Sequence, residues 1–179
     1  RGHQVLIERA IEVANKQAGP SGALVFDPHP SAFFRPGEAH FRLTPLDEKL
    51  ALFEKMGLDV TVVLAFDQAL AHFDAEQFIE TILVQSLAVS HIVAGYHFFF
   101  GRNRSGSVDT LRRFGETHGF GVTVIDPVAD RGRPFSSTDI RLLLAEGHVR
   151  AAAEALGRPW RVSGPVIGGA KRGTGLGFP

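Results

Sequence analysis

The sequence predicts an α/β fold with a parallel sheet flanked by helices, and three observations support this prediction. Short, continuous apolar runs of the kind found in buried parallel strands recur along the chain. Segments with helical spacing of apolar residues alternate with these runs. Capping residues mark the starts of several of these helical segments. Such alternation is typical of right-handed βαβ units, in which ligands bind beyond the carboxyl ends of the strands.

Helical spacing predicts six helices, and their ends are marked by residues that start or stop helices. The predicted segments are 3–17, 44–56, 74–86, 107–118, 137–146 and 148–156. Thr44 provides a cap before Pro45, which we place at the first helical position, and Asp74 caps the next helix. Gly19 and Gly57 end two of the segments.

Four apolar runs are predicted to be strands, and each is followed by a loop at its carboxyl end. The strands are 23–26, 60–66, 91–95 and 122–125, and the loops are 27–41, 67–73, 95–106 and 126–138. In a parallel sheet these loops share one edge, where we expect the ligand. After Gly157 an alternating pattern and then many glycines follow. We therefore expect two domains, 1–158 and 159–179, with Pro159 opening the first strand of a β-type domain.

Composition limits the classes of function. The chain has 179 residues, of which 44% are hydrophobic, enough for a sizeable core. Lys plus Arg and Asp plus Glu both number 19, so no basic field indicates a nucleic-acid partner. There is no cysteine, which excludes disulfides and cysteine nucleophiles and fits a cytoplasmic protein. No apolar run approaches the ~18 residues of a membrane span. The first residue is Arg1 rather than Met, and we interpret the chain as a piece of a longer polypeptide.

Several common site motifs do not occur. No G-x-G-x-x-G follows a strand, and Gly168 to Gly173 have P-loop spacing without the lysine that should follow. No G-x-S-x-G elbow occurs. The eight histidines form no pair at helical spacing for zinc, and we name no metal-ligating residue.

One stretch carries residues suited to binding phosphate, namely Phe135-Ser136-Ser137-Thr138-Asp139-Ile140-Arg141. Hydroxyl and acidic side chains here precede a helix, whose free N–H groups and positive dipole end attract anions. Arg141, one turn later, can fork onto phosphate oxygens. The ordinary alternative is a helix cap with a surface arginine. A similar start occurs at Gly2 and His3, which precede the first helix.

Seven short motifs follow one another along the chain. They are Arg1-Gly2-His3-Gln4, Phe26-Asp27-Pro28-His29-Pro30, Arg42 to Lys49, Gly95 to Gly101, Ser136 to Arg141, Leu156-Gly157-Arg158-Pro159 and Gly173 to Pro179. The first resembles the tail of H-x-G-H, and the fifth resembles S-S-T-x-I-R, both of the nucleotidyltransferase superfamily. In this order the set resembles bacterial FAD synthetases, the bifunctional riboflavin kinase/FMN adenylyltransferase family, over essentially the whole chain.

The resemblance implies a Rossmann-like nucleotidyltransferase domain, followed by the first part of a β-barrel-type riboflavin kinase domain. It also implies a reaction in which the phosphate of FMN attacks the α-phosphate of ATP, so that FAD and pyrophosphate are formed. Such a transfer depends on positioning two anions and neutralising charge. Mg²⁺ would bridge the phosphates, held largely by them and by water. The parent protein would also phosphorylate riboflavin to FMN.

The same resemblance implies two groups of site residues. The ATP-binding group is Gly2, His3, Ser136, Ser137, Thr138 and Arg141, of which His3, Ser137, Thr138 and Arg141 are the catalytic candidates. The flavin-binding group is Phe26, Asp27, His29, Phe33, Phe34, His97, Phe98 and Phe100. Each has an ordinary alternative, such as a capping histidine, a turn aspartate or a core phenylalanine.

The chain departs from the family pattern at three places. The first His of H-x-G-H would stand before Arg1, His97 stands where the family has Asp or Asn, and the P-T-A-N motif of the kinase would follow Pro179. Two other functions stay open: a flavin- or nucleotide-binding module without turnover, and an adenylyltransferase for another small phosphate ester. We expect small-molecule substrates, no nucleic acid and no membrane, and the sequence does not indicate an oligomeric state.

Overall fold

A computed structural model describes residues 2–35, 42–127, 129–130, 133–134, 136–164, 175 and 177. The strands are β1 Gly22–Asp27, β2 Val60–Ala65, β3 His91–Gly95, β4 Gly121–Ile125, β5 Ala129–Asp130 and β6 Arg133–Pro134. The helices are α1 Gly2–Gln17, α2 Pro30–Phe34, α3 Leu46–Lys55, α4 Gln68–His72, α5 Ala75–Phe78, α6 Val108–His118, α7 Ser137–Ala145 and α8 Val149–Leu156. A π-helical segment, Ile79–Ser86, continues directly from α5. The α/β prediction is confirmed.

The four predicted strands form two parallel pairs. β1 pairs with β2, with Gly22 opposite Val60 and Asp27 opposite Ala65. β3 pairs with β4, with His91 opposite Gly121. In the part of the chain that the structure describes, no hydrogen-bonded ladder joins one pair to the other. The parallel direction is therefore confirmed, whereas the expectation of one continuous sheet is not met among these residues.

One hydrophobic core joins the two pairs. Phe78, Ile79 and Leu111 are buried at its centre, and Leu24 and Phe26 of β1 pack against it. Its members from the other pair are Ala94 of β3 and the β4 side chains Val122 and Val124. Helix α1 contacts both β1 and β3. The carboxyl ends of β1 and β3 are thus held by shared packing, because apolar surface from both pairs is removed from water together.

All six predicted helices are present. The cap predicted for α3 is wrong, and the second part of the helix predicted at 74–86 is π-helical. Thr44 was expected to cap a helix whose first residue is Pro45, but Pro45 is the N-cap and α3 begins at Leu46. Thr44 Oγ1 instead accepts a hydrogen bond from Arg158 Nη2 at 3.0 Å. Asp74 caps α5 as predicted, in a reciprocal capping box with Gln77.

Two of the predicted loops contain short helices. The loop after β1 holds α2, and the loop after β2 holds α4. Both begin at a side chain that accepts from a backbone N–H: His29 from Ser31 in α2, and Asp67 from Leu70 in α4. Such turns are too short to produce a helical spacing of apolar residues, so the hydrophobic pattern does not reveal them.

Helices α7 and α8 form a hairpin with its own small core. Ile140 of α7 and Ala152 of α8 are buried against Leu43, which precedes α3. After α8, residues 159–164 have no regular secondary structure, so the strand expected from Pro159 onward is wrong for these residues. An alternating pattern forms a strand only beside a hydrogen-bonding partner, and no described strand lies against 159–164. Most of the remaining expected domain lies outside the described residues.

Candidate active site

The start of α1 carries the first predicted group of site residues. Gly2 opens the helix, and His3 lies in its first turn with part of its side chain open to solvent. Contact with neighbouring groups buries the ring enough to lower the pKa of His3, and the charge of Lys49 lowers it further. The imidazole is therefore neutral at pH 7, where it can donate one hydrogen bond and accept another.

Lys49 brings positive charge close to His3, and Arg42 lies near Lys49. Lys49 lies in the first turn of α3 and is half-buried. Burial lowers its pKa, the Arg42 guanidinium lowers it further, and Asp27 opposes both effects. Arg42 Nη1 donates to Asp27 Oδ1 at 2.6 Å, at the carboxyl end of β1. The group of basic side chains thus gathers around one carboxylate, which favours the binding of an anion.

The start of α7 carries the second predicted group. Ser136 is the N-cap, and its Oγ accepts from Thr138 N at 3.1 Å, so its capping role is confirmed. The side chains of Ser137, Thr138 and Arg141 are exposed on the first turns. Arg141 Nη1 donates to the Ser137 carbonyl at 3.3 Å, which holds the guanidinium at the same helix end. Hydroxyls, backbone N–H groups and a guanidinium at one helix start can all donate to phosphate oxygens.

Among the described contacts, α3 lies between the two helix starts. Lys49 of α3 acts on His3, and the preceding residue, Glu48, accepts from Arg158 Nη1 at 2.8 Å. Arg158 directly follows the end of α8, which packs on α7. Sequence analysis did not single out Lys49, Glu48 or Arg158. Glu48 and Lys49 lie in the motif Arg42 to Lys49, and Arg158 lies in the motif Leu156 to Pro159. Membership of these motifs is the one sequence signal that could have indicated them.

Five of the predicted flavin-binding residues belong to one continuous chain of aromatic contacts. Phe98 stacks on Phe100 with ring centroids 5.4 Å apart, and Phe100 lies 5.6 Å from Phe78. Phe78 in turn lies 6.2 Å from Phe26. Phe26 and Phe100 are largely covered by the core, whereas Phe98 is 39% exposed. The ordinary alternative, in which Phe26 and Phe100 are near-core residues, is therefore confirmed as well.

Phe66 joins Phe33 and Phe34 to this aromatic chain, and sequence analysis missed it. Its ring centroid lies 5.6 Å from Phe26, 5.3 Å from Phe33 and 5.8 Å from Phe34. Phe34 is 62% exposed and forms one open end of the cluster. The sequence places Phe66 at the end of a predicted strand, at the same sheet edge as Phe26, and this position was the available signal.

The two predicted flavin-binding histidines have different surroundings. His29 is the N-cap of α2, where its Nδ1 accepts from Ser31 N at 3.2 Å, and this matches the ordinary alternative of a loop-structuring role. His97 is exposed, and its ring meets Tyr96 edge-on at 5.0 Å. The described ring contacts of His97 do not include the aromatic cluster, so its predicted role in flavin binding stays a prediction.

The end of β1 carries one residue of the aromatic cluster and one residue that pairs with the basic group. Phe26 and Asp27 are consecutive at the end of β1; the first joins the aromatic cluster, and the second pairs with Arg42 beside Lys49. Such an edge can take a ligand with a planar ring at one end and a phosphate at the other. Among the described residues, no group of three or more His, Asp or Glu side chains could hold a metal ion. No described helix is both long and apolar enough to cross a membrane.

Comparison with known proteins identifies the family. The sequence model of a family described as FAD synthetase matches residues 1–139, which include both helix starts and the aromatic cluster. The chain belongs to the FAD synthetase family. The resemblance found in the sequence motifs is thereby confirmed.

Curated relatives of the chain are named bifunctional riboflavin kinase/FMN adenylyltransferase. The protein of Pseudomonas fluorescens is 38% identical over 179 residues, covering 100% of the chain and 57% of that protein. The protein of Escherichia coli strain K12 is 34% identical, with the same coverage. That of Listeria monocytogenes is 34% identical over 99% of the chain and 56% of its own length. The chain thus spans about 57% of the length of these relatives.

A solved structure shares the fold of the chain. It is a crystal structure described as a macrolide-efflux protein from Streptococcus pneumoniae. The TM-score is 0.84 at 26% sequence identity, covering 99% of the chain and 58% of that protein. The likeness extends over nearly all of the chain and supports the nucleotidyltransferase-like α/β assignment.

Proposed function

We propose that this protein transfers AMP from ATP to FMN, giving FAD and pyrophosphate. The observation that carries the proposal is the carboxyl end of β1, where Phe26 belongs to the aromatic cluster and the next residue, Asp27, pairs with Arg42 of the basic group. FMN combines a planar isoalloxazine ring with a phosphate, and the aromatic cluster and the basic group suit these two parts. Family membership supports the same reaction, since the relatives carry FMN adenylyltransferase in their names.

The reaction requires an in-line approach of two anions. The FMN phosphate oxygen attacks the α-phosphorus of ATP, the bond to the bridging oxygen breaks, and pyrophosphate leaves with the electron pair. Positioning and charge neutralisation supply most of the catalysis in such transfers. We assign this work to His3, Ser137, Thr138 and Arg141, with Gly2 allowing close approach at the start of α1. Neutral His3 would donate to a phosphate oxygen, and Arg141 would clamp the leaving group.

The flavin ring would lie against an exposed phenylalanine of the aromatic cluster. Phe34 and Phe98 present the open faces, while Phe26, Phe33 and Phe100 support them. Phe66 joins this set because its ring contacts three of the other phenylalanines. Asp27 would hold Arg42 toward the phosphate end of FMN.

We assign Mg²⁺ to the phosphates of ATP, where it would neutralise charge while water completes its coordination. No protein cluster able to hold it is found in the described ranges, so the metal would arrive with the nucleotide. We also propose a cytoplasmic location, which suits a chain without cysteine.

The two-domain division also remains our proposal. Residues 1–158 would form the adenylyltransferase, and 159–179 would begin a riboflavin kinase domain. The bifunctional names of the relatives support this division, as does the resemblance of the glycine-rich end of the chain to the start of that domain. Riboflavin would then be a second substrate of the whole protein.

The experiment is to incubate the protein with FMN, ATP and Mg²⁺ and to separate the products by chromatography. We expect FAD and pyrophosphate in equal amounts, and much less FAD with the Thr138→Val/Arg141→Ala double variant. Arg113→Ala, on the exposed face of α6, is the matched control and should keep full activity. Binding of FMN without FAD formation would favour a binding module. Adenylylation of another phosphate ester, such as pantetheine phosphate, with FMN untouched would show that the substrate assignment is wrong.

A further inference from the structure

Arg158 makes a two-pronged contact that ties the end of α8 to α3. Its Nη1 lies 2.8 Å from Glu48 Oε1, and its Nη2 donates to Thr44 Oγ1 at 3.0 Å. Gly157, with φ of 76°, ends α8 in the left-handed conformation that L side chains rarely adopt. The backbone turns there, and the Arg158 N–H donates back to the Ala153 carbonyl at 3.1 Å.

This ion pair differs from the surface pairs of the same chain. The side chains of Arg158 and Glu48 are only 21% and 14% exposed, against 68% and 64% for Arg113 and Glu76, which are 3.7 Å apart. Glu48 Oε2 is buried and has no hydrogen-bond partner among the described residues. Removing Arg158 would therefore leave a largely buried carboxylate without compensation, whereas exposed pairs contribute little to stability.

The contact joins α3 to the end of α8, and each of these helices neighbours residues that are phosphate-binding candidates. On one side, α8 packs on α7 through Ala152 and Ile140, and α7 presents Ser137, Thr138 and Arg141 at its start. On the other side, Glu48 directly precedes Lys49, whose charge acts on His3. Leu43 is the apolar contact that accompanies the ion pair at this junction. This junction therefore holds the α7–α8 hairpin against α3.

We propose that Arg158 is a positioning residue for nucleotide phosphate. It would act without touching the substrate, because its bonds to Glu48 and Thr44 fix the α7–α8 hairpin relative to α3, so that the start of α7 addresses the nucleotide phosphates. The inference rests on the proposed adenylyl transfer. Small misplacements of catalytic groups are costly, since a shift of about 1 Å can reduce a rate about a hundredfold.

The test compares Arg158→Ala, Arg158→Lys and Thr44→Val with the surface control Arg113→Ala, each in the protein as it occurs. Three quantities are measured: the Kd of MgATP by calorimetry, the Kd of FMN by fluorescence, and hydrogen exchange of the α7 amides. We expect Arg158→Ala to weaken MgATP binding about tenfold and to lower kcat/KM for ATP about ten- to a hundredfold. FMN affinity should stay within about twofold, because the aromatic cluster lies outside this junction.

The variants Arg158→Lys and Thr44→Val test the inference even if Arg158→Ala folds poorly. Lysine keeps the positive charge but cannot donate to two acceptors at once as the guanidinium does, so the MgATP affinity of Arg158→Lys should lie between those of wild type and Arg158→Ala. Thr44→Val should lose less MgATP affinity than Arg158→Ala. Faster exchange in α7, with β3 and β4 unchanged, should accompany the loss. If stability falls while MgATP affinity and α7 exchange stay at wild-type values, Arg158 is structural only and the inference is wrong.

The proposed function and this inference fail in different ways. A wild-type protein that binds MgATP but forms no FAD would refute FMN adenylylation, and a weakened MgATP affinity in Arg158→Ala would still support positioning. A wild-type protein that binds no MgATP would overturn the inference itself.

Discussion

His3 shows what a sequence can and cannot indicate about a single residue. The sequence shows a histidine at a helix start, since the cap and the helical spacing are local patterns. The sequence does not show that Lys49, 46 residues later, acts on its pKa, because the fold brings the two together. In the same way, Ser136 could be predicted as a cap, but the pairing of Arg42 with Asp27 could not.

The pKa of His3 can be tested through Lys49. Since burial is the larger cause and Lys49 the second, we expect an NMR titration midpoint below 6.5 in wild type. In Lys49→Gln the midpoint should rise but stay below 6.5. The lowered folded pKa means that any stability His3 contributes is present above pH 6.5 and is lost as pH falls through the folded value. An identical midpoint in both proteins would show that the lysine charge does not reach the ring.

Arg141 can be tested as a residue that acts on the transition state. Replacing it with alanine should lower kcat and kcat/KM for ATP together, because the contact would strengthen as charge develops on the leaving pyrophosphate. A charge-assisted hydrogen bond contributes about 1.5–3 kcal/mol, so the loss should be about ten- to a hundredfold. Arg112→Ala, on the exposed pair with Asp109, is the control. Wild-type values of kcat and kcat/KM in Arg141→Ala would show that Arg141 is a surface residue without a role in catalysis.

At the scale of elements, the sequence predicts well wherever one element carries its own pattern. The helix ending at His118 is amphipathic and begins at Ser107 in a capping box, so both its type and its start could be predicted. The π-helical form of Ile79–Ser86 could not, because widening a helix depends on how its side chains fit the core. The short helices α2 and α4 were missed because their caps are the only sign of them.

Helix α6 contains a glycine whose role is close packing. A Cβ at Gly115 would collide with the Phe120 carbonyl oxygen and come within 3.3 Å of the Phe120 ring. In an open helix, Gly→Ala stabilises by about 1 kcal/mol, but here we expect a net loss because overpacking costs about 1–3 kcal/mol. Thermal unfolding of Gly115→Ala checks this. Gly19→Ala, where nothing lies within 4 Å, is the control. A raised Tm in Gly115→Ala would contradict the close packing.

At the scale of the whole molecule, alternation of strands and helices is enough to predict an α/β fold, but not which strands pair. The sequence contains no signal that β1 pairs only with β2 and β3 only with β4 among the described residues. Long-range pairing depends on packing, and in the sequence all four strands are short, mainly apolar runs that do not identify their partners. The two pairs therefore rely on a shared core for their relative position. The position of the aromatic and charged residues at the end of β1 depends on the same core.

Ile79 tests this dependence because it is fully buried in that core, at 0% exposure. Ile79→Ala should destabilise the protein by about 2–5 kcal/mol, as is usual for such truncations. Since both strand pairs pack on the same core, hydrogen exchange should accelerate in β1–β2 and β3–β4 together. Ile140→Ala, in the separate cluster of α7 and α8, is the matched control and should accelerate exchange mainly in that hairpin. Loss of protection in one strand pair alone after Ile79→Ala would show that the pairs fold independently and that the shared core does not set the geometry of the site.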